Sequence, residues 1–204
     1  MARKRNVETE AKIAEAATAL FCTQGYVDTT MAAIAGAAGV AVQTLYLRHG
    51  SKAAILSAAL DVAIAGDAEP VALQDREADF FRQALAAPDA ARAIAIVVHG
   101  ARRICDRTNR LYDVIRSAAA DPEVAQVLEK NRVERSAGLR RLAGTVAAKP
   151  RYDPAVPVQR TADLFYALGT EDAYLLFVVD RDWSADEWER WVVDTVSSQV
   201  LLPD

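Results

Sequence analysis

The chain has 204 residues, 52% of them apolar and 25% charged, a composition that belongs to a folded globular protein and excludes a disordered one. Its net charge of −4, from 24 Lys and Arg against 28 Asp and Glu, excludes a surface that is cationic all over. The longest apolar runs, AIAIVV at 93–98 and AYLLFVV at 173–179, are too short to span a bilayer, so no membrane partner is expected.

The first stretch, MARKRNVETEA, is charged and has no apolar run behind it, which does not fit a signal peptide. Residues 1–60 carry six cations (Arg3, Lys4, Arg5, Lys12, Arg48, Lys52) against four anions (Glu8, Glu10, Glu15, Asp28), a balance of +2, leaving 18 against 24, or −6, for the rest. A polyanionic partner would therefore meet the amino-terminal segment. The arm Arg3–Arg5 either reaches a groove or backbone or stays a solvated tail.

Ile13, Ala16, Ala17, Leu20 and Phe21 follow helical spacing and predict a first helix over about 7–24, stopped by Gly25. Thr30 caps a short second helix that ends at Gly39, and a third covers about 42–48. Ser51 caps a fourth helix running to Gly66. The section 71–87 has no clear period. Helices follow at about 89–106, 108–120 and 121–148, then a loop, KPRYDPAVP, at 149–157. Two last helices cover about 158–179 and 185–201, the second opened by a Ser184/Glu187 capping box. The fold class is all-α.

The two cysteines, Cys22 and Cys105, lie far apart without a CxxC pair, as thiols of a reducing compartment do, and a cytoplasmic protein is expected. With only His49 and His99, and no HExxH, Gly-rich phosphate loop or GxSxG, there is no recognisable catalytic set, so neither enzyme activity nor a metal or cofactor is expected.

The stretch GVAVQTLYLRHGSK (39–52) suits a helix-turn-helix. Gly39 accepts the positive φ of the turn, and Ala35 is small enough for the helix crossing. With Leu45 inward, Gln43 and Leu47 point outward, flanked by Thr44 and Tyr46. Gln43 can pair with an adenine edge, Leu47 can touch a thymine methyl, and the hydroxyls can bond phosphates. Lys52 at the start of the fourth helix would add a phosphate anchor. Spacing alone leaves open an ordinary helical corner.

Residues 7–66 resemble the DNA-binding domain of the TetR (tetracycline repressor) family. ALFCTQGYVDTTMAAIAGAAGVAVQTLYLRHGSKAAIL carries its LF, GY, Thr-capped helix, IA, AGV, TLY and SK in order, and YALGTEDAYLLFVVDRDWSADEWERWVVDTV is similar to the last two helices of one large subgroup. The resemblance implies a helix-turn-helix domain over 1–50, with an arm at 1–6, and a larger helical effector-binding and dimerisation domain over 51–204 joined through the helix at 51–66. It implies a homodimer that binds a palindromic operator in double-stranded DNA, usually as a repressor, and is released by a small-molecule effector. A small-molecule binder whose helix-turn-helix has lost specific DNA binding is the other reading. The DNA-binding positions implied are Thr30, Val42, Gln43, Thr44, Tyr46, Leu47, Arg48 and Lys52. Ala41 stands where Ser or Thr commonly caps the recognition helix, and His49 where Phe commonly packs; His49 is either a pH switch or a half-buried ring in that place.

In the larger domain, Ile94, Val97, Val98, Ala101 and Cys105 make one stripe of a helix, with Ile96, His99 and Arg103 roughly opposite. These three, with Tyr112, Phe165, Tyr166 and Phe177, either line an effector pocket or belong to ordinary core and satisfied polar contacts. Trp188, Trp191, Val192 and Val196, with Leu168, Tyr174, Leu175 and Val178 on the preceding helix, resemble the family's dimer interface; packing within one chain is the alternative.

Overall fold

The structure, a computed structural model, describes residues 2–66 and 79–203, with side chains from Val7 in the first stretch and from Phe80 in the second. The side chains of Arg3, Lys4 and Arg5 and the stretch 71–78 of the unassigned section lie outside the described residues. The described residues are helical, their one extended pairing being an isolated bridge between Tyr152 and Leu201. No single described helix is long and apolar enough to cross a membrane.

The chain divides into two compact units, 1–70 with 110–131, and 71–109 with 132–204. The first holds α1 (Ala2–Asp28), α2 (Met31–Ala38), α3 (Val42–His49) and α4 (Lys52–Ala65). Gly25, at φ 77° and ψ 176°, interrupts α1 where the sequence places its stop, and the chain then makes one more turn to Asp28. The Thr29 hydroxyl donates to the Gly25 carbonyl at 2.7 Å and secures that bend. Thr30 accepts from the Ala33 N–H and caps α2, whose end is turned by Gly39 in the left-handed region. The apolar stripe of α1 (Ile13, Ala17, Phe21) is buried with Ile34, Leu45, Ile55, Leu56 and Leu60, and with Leu111, Ile115 and Val124. Each large side chain taken out of water contributes roughly 1.5–3 kcal/mol, so the three-helix unit rests on its shared core rather than on the propensity of eight-residue helices.

The second unit contains α5 (Asp79–Ala86), the first part of α6 (Ala90–Ser117), the later part of α7 (Pro122–Ala147), α8 (Val158–Leu168), α9 (Glu171–Tyr174), a π-helical turn at Leu175–Val179, and α10 (Ala185–Val200). Helices expected at 89–106 and 108–120 are one helix. The segment 101–117 holds neither Gly nor Pro, and Thr108 is satisfied in place, its hydroxyl 2.8 Å from the Ile104 carbonyl and 3.0 Å from Glu171 Oε1. The helix expected over 158–179 is broken instead at Gly169 and Thr170, where Thr170 is extended (φ −123°, ψ 170°).

Packed inside this unit are Ile94, Val97, Val98, Cys105, Phe165, Trp188, Val192, Val196 and Val200. Phe80 of α5 lies flat against Gly100 of α6, where a Cβ would stand 2.4 Å from the Phe80 Cγ. The Ser184/Glu187 capping box opens α10 as the sequence indicates. Its paired hydrogen bonds, side chain first and backbone second, hold the Glu187 carboxyl below the usual carboxylate range. The loop at 149–157 meets the end of the chain, Asp153 N–H donating to Val200 O and Leu202 N–H to Arg151 O, both at 3.0 Å.

Candidate nucleic-acid interface

Helices α2 and α3 meet with a bend of 108°, within the range of a helix-turn-helix. Gly39 makes the corner, and the Val40 N–H returns to the Ala35 carbonyl at 3.0 Å. One residue, Leu45, is fully buried and anchors α3, which fixes what the helix can show to solvent. Gln43, Tyr46 and Leu47 are exposed, Leu47 to 89%, with exposed Val42 beside them and Thr44 half-buried. An isolated apolar side chain held that far out gains nothing from its own fold. Thr30 is exposed at the start of α2. The outward face is the one that 100° steps from Leu45 give.

The basic residues are engaged within the fold. Lys52 Nζ donates to three backbone carbonyls, those of Tyr26 (2.6 Å), Thr29 (2.9 Å) and Val27 (3.3 Å), and lies 4.1 Å from the centre of the Tyr26 ring. An ammonium has three donors, and all three are taken. Lys52 therefore ties the last turn of α1 to the start of α4. Burial, the larger influence, lowers its pKa from the usual range, opposed by the charges of Asp121 and Asp28. Burial likewise raises the Tyr26 phenol, with Asp121 and Glu123 adding to it, to about 12.

Arg48 is also engaged, its guanidinium on Glu10 Oε1 of α1. The second carboxylate oxygen of Glu10 stands 3.1 Å from His49 Nε2, and the His49 side chain is 11% exposed. His49 thus fills the inner place expected of an aromatic ring and meets a carboxylate there. Glu10 is a site residue that sequence reasoning missed, since its partners lie 38 and 39 positions away and no local spacing marks them. Ala41 begins α3 with no side-chain cap, the Thr44 N–H bonding only to the Ala41 carbonyl at 2.9 Å.

In the second unit Ile96, Phe165 and Phe177, expected at an effector site, belong to one apolar cluster, while the polar residues expected with them are exposed. His99 is 57% exposed, its Nδ1 3.0 Å from Glu189 Oε1, and Arg103 is exposed as well. The residue turned to α10 beside His99 is Arg102, which pairs with Asp186 and, at 2.9 Å, with Glu189. Those hydrogen bonds, Glu189 first, raise the Arg102 pKa above its usual range. Phe165 is buried in the core, while Tyr166 and Ile96 are half-buried; Tyr112 is buried but belongs to the first unit. Phe177 is half-buried against Trp183 and Trp191, at ring separations of 4.8 and 4.7 Å.

A polar group absent from the sequence reading sits inside this unit. Glu171, 4% exposed, pairs with Arg135 at 2.9 Å besides its contact with Thr108, and the Tyr174 hydroxyl donates to Asp106. Burial first, and that hydrogen bond second, push the Tyr174 phenol well above its usual range. The indole N–H of Trp188 is buried without a partner.

The residues expected at a dimer interface divide by burial. Trp188, Val192 and Val196 are fully buried within the chain and Tyr174 nearly so, because α10 turns its apolar stripe inward. Leu168, Leu175, Val178 and Trp191 are half-buried, and the apolar side chains most open beside them are Leu176 (52%) and Val179 (55%) of the π-helical turn.

Residues 13–59, spanning α1 to α4, match the sequence model of the bacterial regulatory proteins of the tetR family. The amino-terminal domain is a TetR-family domain. Comparison with curated proteins gives no match. Solved structures extend the TetR likeness to the whole fold. A protein of Rhodococcus sp. classed with the TetR-family transcriptional regulators aligns at TM-score 0.72 and 14% identity, covering 94% of this chain and 97% of its own. NalD of Pseudomonas aeruginosa, the secondary repressor of the MexAB-OprM multidrug efflux pump, aligns at 0.68 and 17%, covering 95% and 96%. The transcriptional regulator FadR of Bacillus subtilis, in complex with stearoyl-CoA, aligns at 0.67 and 14%, covering 91% and 96%. At these identities the likeness is one of fold: a TetR-type helix-turn-helix followed by a larger helical domain.

Proposed function

We propose that the protein is a transcriptional repressor of the TetR type, which binds a palindromic operator as a homodimer and is released by a small-molecule effector held in its larger helical domain. The observation that carries this reading is the outer face of α3, where Gln43, Tyr46 and Leu47 stand exposed on a helix fixed from behind by Leu45. Val42, Gln43 and Leu47 would meet base edges and thymine methyls in the major groove, while Thr30, Thr44 and Tyr46 bond phosphates. Arg48 is paired with Glu10 through one nitrogen and keeps further donors for a phosphate, and Lys52 acts by holding the domain together.

Two such faces read a palindrome when they lie one helical turn of DNA apart, roughly 34–36 Å, so a ligand that favours another spacing releases the operator. NalD is a repressor and FadR binds stearoyl-CoA in folds of this kind, which supports the repressor and effector parts of the proposal. A dimer would pair through Leu176 and Val179, with the half-buried Leu168, Leu175, Val178 and Trp191 beside them.

The test is repeated selection of bound fragments from a random duplex pool, followed by affinity against salt for the winner. A two-fold palindrome bound by a dimer with a steep salt slope is the expected result; no enrichment under any condition would sink the reading. On the selected operator, Tyr46→Ala is expected to weaken binding by roughly 1 kcal/mol on every sequence. Gln43→Ala is expected to lose about 1–3 kcal/mol of discrimination at one base pair of each half-site, read by affinities on operators substituted at that pair.

A further inference from the structure

Trp188 is fully buried in the apolar cluster of the second unit, yet its indole N–H meets no acceptor among the described residues. A buried donor without an acceptor is costly, and a phenyl ring in the same place would carry no donor to satisfy. The Tyr174 ring meets the indole edge to face at 5.1 Å, and its own hydroxyl is committed to Asp106. One turn earlier on α9, the Glu171 carboxylate is committed to Arg135 at 2.9 Å and to Thr108 at 3.0 Å. All of these residues belong to the second unit. Tyr174 also stands between two irregular pieces of chain, the break at Gly169 and Thr170 and the π-helical turn at Leu175–Val179. Such turns are rare and frequent at functional sites.

The surrounding charge selects what could supply the missing acceptor. Glu171 is balanced by Arg135, while Asp106, 3.7 Å from Arg102, shares that guanidinium with Asp186 and Glu189. Four carboxylates thus stand against two guanidiniums, an excess that repels a further anion. An ammonium brings no acceptor at all. An uncharged oxygen on an apolar body satisfies both conditions.

We propose that the Trp188 indole N–H is the polar recognition group of the effector site, and that the effector is an uncharged, mainly apolar molecule whose carbonyl oxygen accepts that hydrogen bond beside Tyr174. Phe80, Phe81 and Phe177, half-buried against the same cluster, are the rings that give way to admit it. The role of effector rests on the repressor reading; binding at Trp188 does not.

Probes of one shape test the proposal: acetophenone, α-methylstyrene, in which a methylene replaces the carbonyl oxygen, and benzoate. Each is titrated into the full chain carrying isotope-labelled tryptophan, with the indole resonances assigned through Trp183→Phe and Trp191→Phe, changes at half-buried rings. Acetophenone is expected to move the Trp188 indole proton downfield and to bind roughly three- to tenfold more weakly to Trp188→Phe, the range that one hydrogen bond gives. α-Methylstyrene is expected to cause no downfield shift and to bind both chains alike, and benzoate not to bind. Should Trp188→Phe fail to fold, the comparison of acetophenone with α-methylstyrene on the wild-type chain decides alone. Equal responses to those two, an indole unmoved by acetophenone, or a downfield shift with benzoate would each overturn the proposal. Duplex binding by the same protein keeps the two readings apart. If the indole responds to acetophenone while no duplex is bound, the site stands and the repressor reading fails; a bound operator with an unmoved indole gives the reverse.

Discussion

Lys52 shows how one side chain changes meaning between sequence and structure. Read in the string SK at a helix start, it is a cation beside DNA; in the fold it is the partner of three carbonyls left open where α1 bends at Gly25. Hydrogen bonds from a charged donor contribute about 1.5–3 kcal/mol each when well made, and solvent screens part of that here. Lys52→Met is therefore expected to destabilise the protein by about 2 kcal/mol in chemical denaturation. It should leave the slope of log affinity against log salt unchanged. A fall of about one in that slope would restore the phosphate-anchor reading. Glu10 makes the converse point. Nothing near it in the sequence marks it out, because its partners are reached only after α1 and α3 have packed.

Among the elements, those with strong local punctuation were legible. Thr30, Gly39, Ser51 and Ser184 each sit at the cap the sequence assigns them, because a cap is decided within four residues. What was not legible was continuity. Position 107 reads as a break between two helices, yet α6 continues, since the Thr108 hydroxyl finds Glu171 from a distant element. Conversely, the apolar run before Asp180 reads as one helix with 158–168, whereas Gly169 and Thr170 divide it and the chain resumes partly as a π-helical turn. The outer face of α3 was legible because a single buried residue, Leu45, sets its phase. Its first turn is weak: Ala41 has the extended geometry of a cap (φ −71°, ψ 144°) but no side-chain acceptor. Ala41→Ser should supply one, and a gain of about 1 kcal/mol in unfolding free energy is expected. If Ala41→Ser gives no gain, another interaction already holds the turn.

For the molecule as a whole, the amphipathic pattern of α10 said that a large apolar face must be covered, and could not say by what. The fold covers it with the chain's own core, Trp188, Val192, Val196 and Val200 all lying within it. Among the apolar residues left outside, Leu176 and Val179 belong to the irregular turn before α10. A helical wheel does not apply to such a turn, so helical periodicity in the sequence does not phase its exposed side chains. Leu176→Asp with Val179→Asp is accordingly expected to convert a dimer into a monomer in sedimentation velocity, with the helical circular dichroism retained. Trp191→Ala, half-buried beside Phe177, serves as the comparison for a change that also disturbs packing.

The contact of Phe80 with Gly100 carries a consequence for how this sequence can diverge. A ring that would stand 2.4 Å from a methyl at position 100 leaves no room for even the smallest side chain there. The two sites are therefore not free to drift separately. A lineage that acquired alanine at 100 would have to shed the phenyl group at 80, and one that first lost the ring would open the helix to residues now forbidden. Among descendants of this chain, the identity of residue 80 should be inherited together with the glycine, as a linked pair whose history constrains which substitutions are open next.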